Sequence, residues 1–369
     1  MNLRSCRWLI VSALVVTASG VWAQGDAPQV SDQRPKTAQV SRTPKSAQCS
    51  LPPAFDEESI ADFRQQAASG DAAKQCGLGL MYELGHGVPR DYTRAAEWFR
   101  KAAEQGNPSA QCSLGDHYEA GKGVPQDYAR AALWYRKAAD KGDADAEENL
   151  ANLYDTGDGV PRSKTQAAFW WRKAADSYRK AAEQGDAWAQ YNLGMSYDGG
   201  QGAPQDYAQA ALWFRKAAEQ DYAGAQLQLG HLYLDGHGVP QDYALAAFWY
   251  RKAAEQDDAA AQLSLAELYQ SGRGVPQDYA QAVAWRRKAA EHGQASMQYS
   301  LGLFYYRGQG VPQDYAEAYF WYDLAAASAS MVERYAKDRD EAASHLTPAD
   351  LANQQERARK WFEAHQANP

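Results

Sequence analysis

The stretch from 121 to 142, GKGVPQDYARAALWYRKAADKG, returns again and again along the chain, and the interval between its copies limits the fold more than any other feature. Taking the proline of each copy as a marker gives Pro89, Pro125, Pro161, Pro204, Pro240, Pro276 and Pro312, with steps of 36, 36, 43, 36, 36 and 36 residues. A fixed period in this range marks supersecondary units that cannot bury their apolar faces alone and stack on copies of themselves. The 369 residues are therefore read as one elongated all-α solenoid and not as two or three globular domains.

Each unit reads as two helices. In AQCSLGDHYEAG, from 110 to 121, Ala110, Leu114 and Tyr118 recur every fourth residue and share one face. Small residues hold the position of Gly115 throughout, as Gly79, Ala151, Gly194, Gly230, Ala266 and Gly302, which lets a second helix come close. The link GxGVP ends the first helix on flexible glycines and presets the next with proline. Asp127 then suits an N-cap or first-turn position. In DYARAALWYRKAADKG, Ala131, Trp134 or Tyr135, and Ala138 form the buried stripe, with Arg136 and Lys137 outward. The 12% aromatic content thus belongs mainly to packing.

The step of 43 comes from a doubled phrase, WRKAADS then YRKAAEQ, from 171 to 184. Seven residues are nearly two helical turns, so a continuous helix lengthens by about 10 Å while its apolar stripe turns by only about 20°. Alternatively Ser177 caps a new helix. Either way the regular stacking is expected to be disturbed here, with blocks of three and four units and a distinct pocket beside Trp188 and Met195. The third unit also has Ser163 and Lys164 where Asp and Tyr are usual.

The ends differ in composition. Arg4 and Arg7, an apolar run from Trp8 to Val16 and the ending Val21-Trp22-Ala23 read as a secretory leader, residues 1–23, cleaved after Ala23, which places the protein in the periplasm or outside the cell. The run is too short to span a bilayer. Residues 24–54, with Pro28, Pro35, Pro44, Pro52 and Pro53 among polar residues, read as a disordered linker. Residues 55–71 form a capping helix, 72–325 the repeats, and 326–369 capping helices that begin their last segment at Thr347-Pro348.

Three cysteines follow the leader, so at least one thiol is unpaired or intermolecular. Cys76 and Cys112 are equivalent positions of adjacent units, and helices packed about 8 to 10 Å apart are too distant for a disulfide. The favoured reading makes both small apolar packing residues, with a Cys49–Cys76 bond as the alternative.

A formal charge of −8 argues against a nucleic-acid surface. Repeated GxG turns with no following Lys-Ser or Lys-Thr pair read as turns and not phosphate cradles. Histidines 86, 117, 231, 237, 292, 345 and 365 fall in different units and read as variable surface residues, although His231, Asp235 and His237 sketch a weak metal set. No nucleophile elbow or HExxH helix occurs, so neither catalytic residues nor a cofactor or metal site is expected.

The phrase A-x-x-x-LG-x-x-Y-x-x-G-x-GVPQDY-x-x-A-x-x-W-x-x-KAA-x-x-G resembles the Sel1-like repeat, a relative of the tetratricopeptide repeat. Ala225, Leu229, Gly230, Tyr233, Gly236, Gly238, Ala246, Trp249, Ala253 and Ala254 carry the match in one unit, and seven units run from about 72 to 325. The resemblance implies a right-handed superhelix of antiparallel helix pairs acting as an adaptor for a protein or peptide, in exported bacterial members within envelope assemblies or at host contact. It also implies that the variable first-helix positions line the concave groove. Those positions align with Ser109, Ser113, Asp116 and Ala120, and the expected partner-binding residues are Trp188, Asn192 and Met195 in the fourth unit and Gln228, His231 and Asp235 in the fifth. One exported branch, with a cysteine pair in each repeat, is associated with penicillin binding and beta-lactam hydrolysis. A cell-wall or beta-lactam amide hydrolase is therefore the alternative, and this chain lacks the paired cysteines.

Overall fold

A computed structural model describes residues 49, 51–52, 56–328 and 333–366. The expected leader and most of the expected linker lie outside the described residues. Among those described there are seventeen helices and no strand. After α1 (Glu57–Ala68) come seven helix pairs: α2 and α3 (Ala72–Leu84, Tyr92–Glu104), α4 and α5 (Pro108–Ala120, Tyr128–Ala139), α6 and α7 (Ala144–Thr156, Lys164–Glu183), and α8 and α9 (Ala187–Gly199, Tyr207–Ala218). Then follow α10 and α11 (Ala223–Asp235, Tyr243–Glu255), α12 and α13 (Ala259–Ser271, Tyr279–Glu291), and α14 and α15 (Ala295–Arg307, Tyr315–Ser328). Helices α16 (Glu333–Ala343) and α17 (Pro348–Gln366) close the chain, both packed on α15. Each helix packs on its successor along the seven pairs, which makes a solenoid.

The turn chemistry sets the helix ends. Gly121 stops α4 in the left-handed conformation at φ 67°, and the Asp127 carboxylate accepts from Arg130 N to start α5. Aspartates in the same place start α3, α9, α11 and α13, and Ser163 replaces them at α7 with a longer bond of 3.3 Å to Gln166 N. The second glycine of the turn has a different task. A Cβ on Gly123 would lie 2.1 Å from the carbonyl oxygen of Tyr92, because this turn rests on the start of the previous unit's second helix.

Three ladders fasten one unit to the next. A buried glutamine on five of the seven first helices donates to a carbonyl at the end of the preceding helix, as Gln111 does to Ala103 at 3.0 Å and Gln226 to Ala218 at 3.1 Å. Such bonds satisfy helix-end carbonyls that have no partner within their own helix. A second set joins glutamines 30 residues apart, Gln220 to Gln190 and Gln256 to Gln226. In the third, an arginine of the second helix reaches a tyrosine hydroxyl of the next unit: Arg100 to Tyr118, Arg136 to Tyr154, Arg215 to Tyr233 and Arg251 to Tyr269. Arg136 is thus not simply outward, as the charge pattern suggested; its long stem carries the guanidinium across the interface and over the Trp170 ring.

The doubled phrase forms one continuous helix of 20 residues, α7. Its two copies serve different neighbours. Trp171 of the first donates to Asn152 on α6, as its counterpart Tyr135 does to Asp116 on α4. Arg179 of the second makes the rung to Tyr197 of the fourth unit. The turn of that unit rests on Trp171, in mid-helix, where a Cβ on Gly202 would meet the Trp171 carbonyl oxygen at 2.2 Å. The fourth unit is therefore docked seven residues along α7, and the first two turns of that helix project past it. Ala168 is accordingly exposed, whereas its counterparts Ala96, Ala132, Ala211, Ala247 and Val283 are buried. The apolar core breaks at the same place: one cluster runs from Cys49 to Trp170, and a small separate one begins at Ala174.

The cysteine reading is corrected. Cys76 is bonded to Cys49, with Cα atoms 5.1 Å apart, so the segment before α1 is fixed to α2. Cys112 is buried and takes no part in a disulfide. Nothing in the repeat periodicity bears on Cys49, which lies before the first unit.

Candidate functional site on the first-helix face

The polar character of the first-helix face originates in the second helices. Phe99, Tyr135, Phe214, Tyr250 and Tyr322 are fully buried, each ring lying across the glycine of its partner first helix. A Cβ on Gly115 or Gly230 would sit 2.5 Å from the ring of Tyr135 or Tyr250, which no ring position tolerates. Alanine stands at this position in the third and sixth units, where Trp171 and Arg286 replace the Phe or Tyr.

In the second unit the tyrosine hydroxyl joins a network of side chains from two consecutive first helices. In the second unit the Tyr135 hydroxyl lies 2.8 Å from Asp116 and 2.6 Å from Glu119, and Asn149 of the next first helix donates to the same Asp116 oxygen at 3.1 Å. Burial, then the charges of Asp116 and Glu119, push the Tyr135 pKa well above the usual tyrosine value, so it stays a protonated donor. The extra turns of α7 bring a second such tyrosine. Tyr178 donates to Asp145 at 2.8 Å and approaches Glu148 at 2.9 Å.

The fourth-unit candidates are divided by this arrangement. Trp188 donates to Asp145 at 3.0 Å and its ring packs against Tyr191 and Tyr222, so much of it is committed to joining units. Asn192 is buried and donates to the Trp188 carbonyl one turn back. Met195 is open, at 37% exposure. On α6 Glu147 replaces the ladder glutamine. Its carboxylate is 1% exposed, accepts from Ser177 at 2.8 Å and faces the Lys173 ammonium at 3.4 Å. Burial still raises its pKa, against the pull of Ser177 and Lys173.

The fifth-unit candidates, Gln228, His231 and Asp235, share one side of α10: Gln228 and His231 are half-buried and Asp235 is exposed. Here His231 and Leu234 stand where the second unit has Asp116 and Glu119. Both acceptors for the tyrosine hydroxyl are thereby lost. Tyr250 is 0% exposed, its ring 5.3 Å from the His231 ring, and its hydroxyl has no hydrogen-bond partner. The Ser264 hydroxyl comes near without hydrogen-bonding geometry. A buried hydroxyl left so costs about 1–3 kcal/mol.

Burial first, then the charges of Asp235 and Glu267, raise the Tyr250 pKa well above its ordinary value. Burial lowers that of His231, against Asp235, and so favours the neutral ring. Glu267 is exposed at the surface, yet the walls around it displace enough water to raise its carboxyl pKa, against Arg286. Arg286 is spent elsewhere, on Ser300 at 3.0 Å and Gln270 at 2.9 Å.

The histidine pattern needs one correction. His117 is not a surface residue; it is buried, its Nδ1 2.7 Å from the Lys122 carbonyl and its ring edge-on to Phe99. No cluster of three or more metal-ligating side chains occurs among the described residues, and no described helix is long and apolar enough to cross a membrane. A cavity of about 330 Å³ at the C-terminal cap, between Tyr319, Asp323, Arg339 and Gln355, was not foreseen, since no repeat pattern reaches that far.

The Sel1 repeat family model matches residues 75–107, 108–143, 144–177, 178–186, 189–222, 223–258, 259–294 and 295–330. The chain belongs to the Sel1 repeat family. The short match at 178–186 is the second copy of the doubled phrase, so the eight Sel1 matches correspond to seven helix pairs. Among solved structures, a Sel1 repeat protein from Oxalobacter formigenes is 35% identical over 76% of this chain and 79% of its own, with a TM-score of 0.52. The c5321 protein, described as a protective antigen of uropathogenic Escherichia coli strains, is 31% identical over 83% of this chain and 79% of its own, with a TM-score of 0.34. No curated protein matches the chain.

Proposed function

We propose that this Sel1 repeat protein is an exported scaffold that binds a protein or peptide along its first-helix face. The observation that supports this most is the variety of side chains at one position of a constant frame. Asp116, Asn152, Met195, His231, Glu267 and Leu303 occupy equivalent places on successive first helices, while the ring, glycine and arginine rungs behind them repeat. A frame that repeats while its surface does not is what recognition of an extended partner requires. The leader-like segment at 1–23 and the Cys49–Cys76 bond support a location outside the reducing cytoplasm. Within the face, Met195, Gln228 and Asp235 are the accessible members of the expected set, and Trp188, Asn192 and His231 shape the surface beneath them.

The test is site-specific photocrosslinking in cells, with a benzophenone side chain at Met195, Gln228 or Asp235 and, as control, at Leu133 or Phe248, exposed residues of second helices. Adducts of one defined mass at the first three positions and none at the controls are expected. Adducts at the controls alone would overturn the reading. So would saturable nitrocefin hydrolysis abolished by one surface substitution that leaves helicity intact.

A further inference from the structure

The second helices carry a row of large apolar residues that the fold itself does not require. Leu133, Phe169, Leu212 and Phe248 stand at equivalent places on α5, α7, α9 and α11 and are between 42% and 64% exposed. Packing within the unit does not ask for them, because the same place holds an exposed Glu97 in the first unit and an exposed Ala284 in the sixth. In the seventh it is Phe320, which is buried: α17 packs on α15 and brings the Arg357 guanidinium to 3.8 Å from the ring centroid. Helix α17 thus covers the end of the row, and the places in the second to fifth units stay open to solvent. A lysine follows each of the four residues by one helical turn, on the same side. Lys173 faces Glu147 at 3.4 Å, whereas Lys137, Lys216 and Lys252 are exposed. The Lys137 and Lys216 ammonium groups lie 3.9 and 4.0 Å from the Trp134 and Trp213 ring centroids, so apolar tip, indole and cation succeed one another along the helix.

Charge is sorted between the two sets of helices in the same sense. Helices α4, α6, α8, α10 and α12 carry nine carboxylates and no lysine or arginine, whereas α5, α7, α9, α11 and α13 carry fifteen lysines and arginines against four carboxylates. Although the chain has a net charge of −8, an anionic surface therefore attracts its second helices and repels its first. We propose that the row of Leu133, Leu212 and Phe248, with Lys137, Lys216 and Lys252, docks this protein on an anionic lipid bilayer, while the first-helix face stays free for a protein partner. The apolar tips enter the acyl boundary, the indoles lie at headgroup level and the ammonium groups meet lipid phosphates, which is the order an interfacial surface places them in. A second copy of the chain is a poorer occupant. Two-fold pairing would set lysine against lysine, and one apolar residue per unit leaves gaps that the core of a protein interface does not have.

The experiment uses the mature disulfide-bonded chain and vesicles of phosphatidylglycerol and phosphatidylcholine in equal parts, with phosphatidylcholine vesicles and free glycerol phosphate as controls. Cosedimentation with the anionic vesicles is expected, and it should weaken as salt is added. Binding should fall about tenfold or more when Lys137, Lys216 and Lys252 are all changed to Gln, and likewise when Leu133, Leu212 and Phe248 are all changed to Ser. These side chains are exposed, and unchanged helicity and melting show that each variant is folded. An environment-sensitive dye on Phe248→Cys should shift to the blue on the vesicles, and the same dye on Gln228→Cys should not. Equal binding to both kinds of vesicle, a blue shift at Gln228→Cys alone, or binding that both sets of substitutions spare would overturn the proposal. So would no binding, or competition by glycerol phosphate at matched ionic strength, which would make a free phosphate the ligand. Self-association in sedimentation velocity that the Ser variant abolishes would make a second copy the occupant and overturn it too. Lipid docking gives no protein adduct at Leu133 or Phe248 in the crosslinking test, so a protein adduct there counts against it, while adducts at Met195 and Gln228 stand or fall without it.

Discussion

Trp188 donates its indole hydrogen to Asp145 across 3.0 Å, joining the first helices of the third and fourth units at the one place where the repeat is out of step. Tyr178, present only because the phrase is doubled, lies 2.8 Å from the same carboxylate oxygen. The seven extra residues are therefore fitted into the interface, and their cost is borne at the other end of α7, where two helical turns lose the neighbour that every other unit has.

That uncovered end gives an expected outcome. A cysteine at Ala168 should react with a maleimide in the native protein, while one at Ala132, the equivalent position one unit earlier, should react only on unfolding. Deleting residues 176–182 restores the 36-residue step, moves the fourth unit's turn to the start of α7, and should make position 168 as slow as 132. Mass spectrometry of timed samples reads both. Equal protection at the two positions in the undeleted chain would show that the fourth unit is not docked seven residues along.

The glycine beneath each ring gives a second. A Cβ on Gly194 would lie 2.6 Å from Phe214 Cδ1, against a ring that is 0% exposed and cannot retreat. Gly194→Ala should cost about 1–3 kcal/mol as an overpacking change. Combined with Phe214→Leu, which frees the space, the loss should fall well short of the sum of the two single losses. A urea-denaturation double-mutant cycle measures the coupling. Strict additivity would mean that the collision is relieved by movement of the helices and not by the ring.

Much of this architecture is legible in the sequence because the repeat prints it seven times. The period gives the helix pairs, Pro125 and Asp127 give the turn and cap, and small residues at the Gly115 position announce a close approach before any ring is seen. What the period does not reveal is what each copy does when it stands beside two neighbours. The two copies that hold Trp171 and Arg179 look like duplicates in sequence, yet Trp171 of the first serves the first helix of its own unit and Arg179 of the second serves the unit after. The candidate face was read from variation alone, so it included Asn192, whose amide is turned back to its own helix, and gave no weight to Tyr250. Repetition made that tyrosine look like core; only the loss of its acceptors, through His231 and Leu234, sets it apart. Cys49 lies outside the repeats, and no periodic argument bears on it.

The last outcome concerns pH. Asp198, near the end of α8, is 5% exposed, and burial raises its carboxyl pKa to about 6, partly opposed by His237 in the turn of the next unit, whose ring stacks on Tyr207. A carboxyl whose folded pKa lies above its unfolded value, near 3.9, holds its proton more tightly in the fold. Its contribution to stability is then fully present below the unfolded value and is lost as pH rises through about 6. A shift of this size corresponds to a loss on the order of 1–3 kcal/mol by neutral pH. Asp198→Asn keeps the shape, removes the titration, and should raise the urea midpoint at pH 7.5 while leaving it nearly unchanged at pH 3.5. His237→Ala, which withdraws the group that opposes this rise, should raise the Asp198 pKa further and lower stability where Asp198 is ionised. Denaturation curves of the three proteins from pH 3.5 to 8 decide it. An Asn variant that differs from the parent by a constant amount at every pH would show that Asp198 acts through packing and not through its proton.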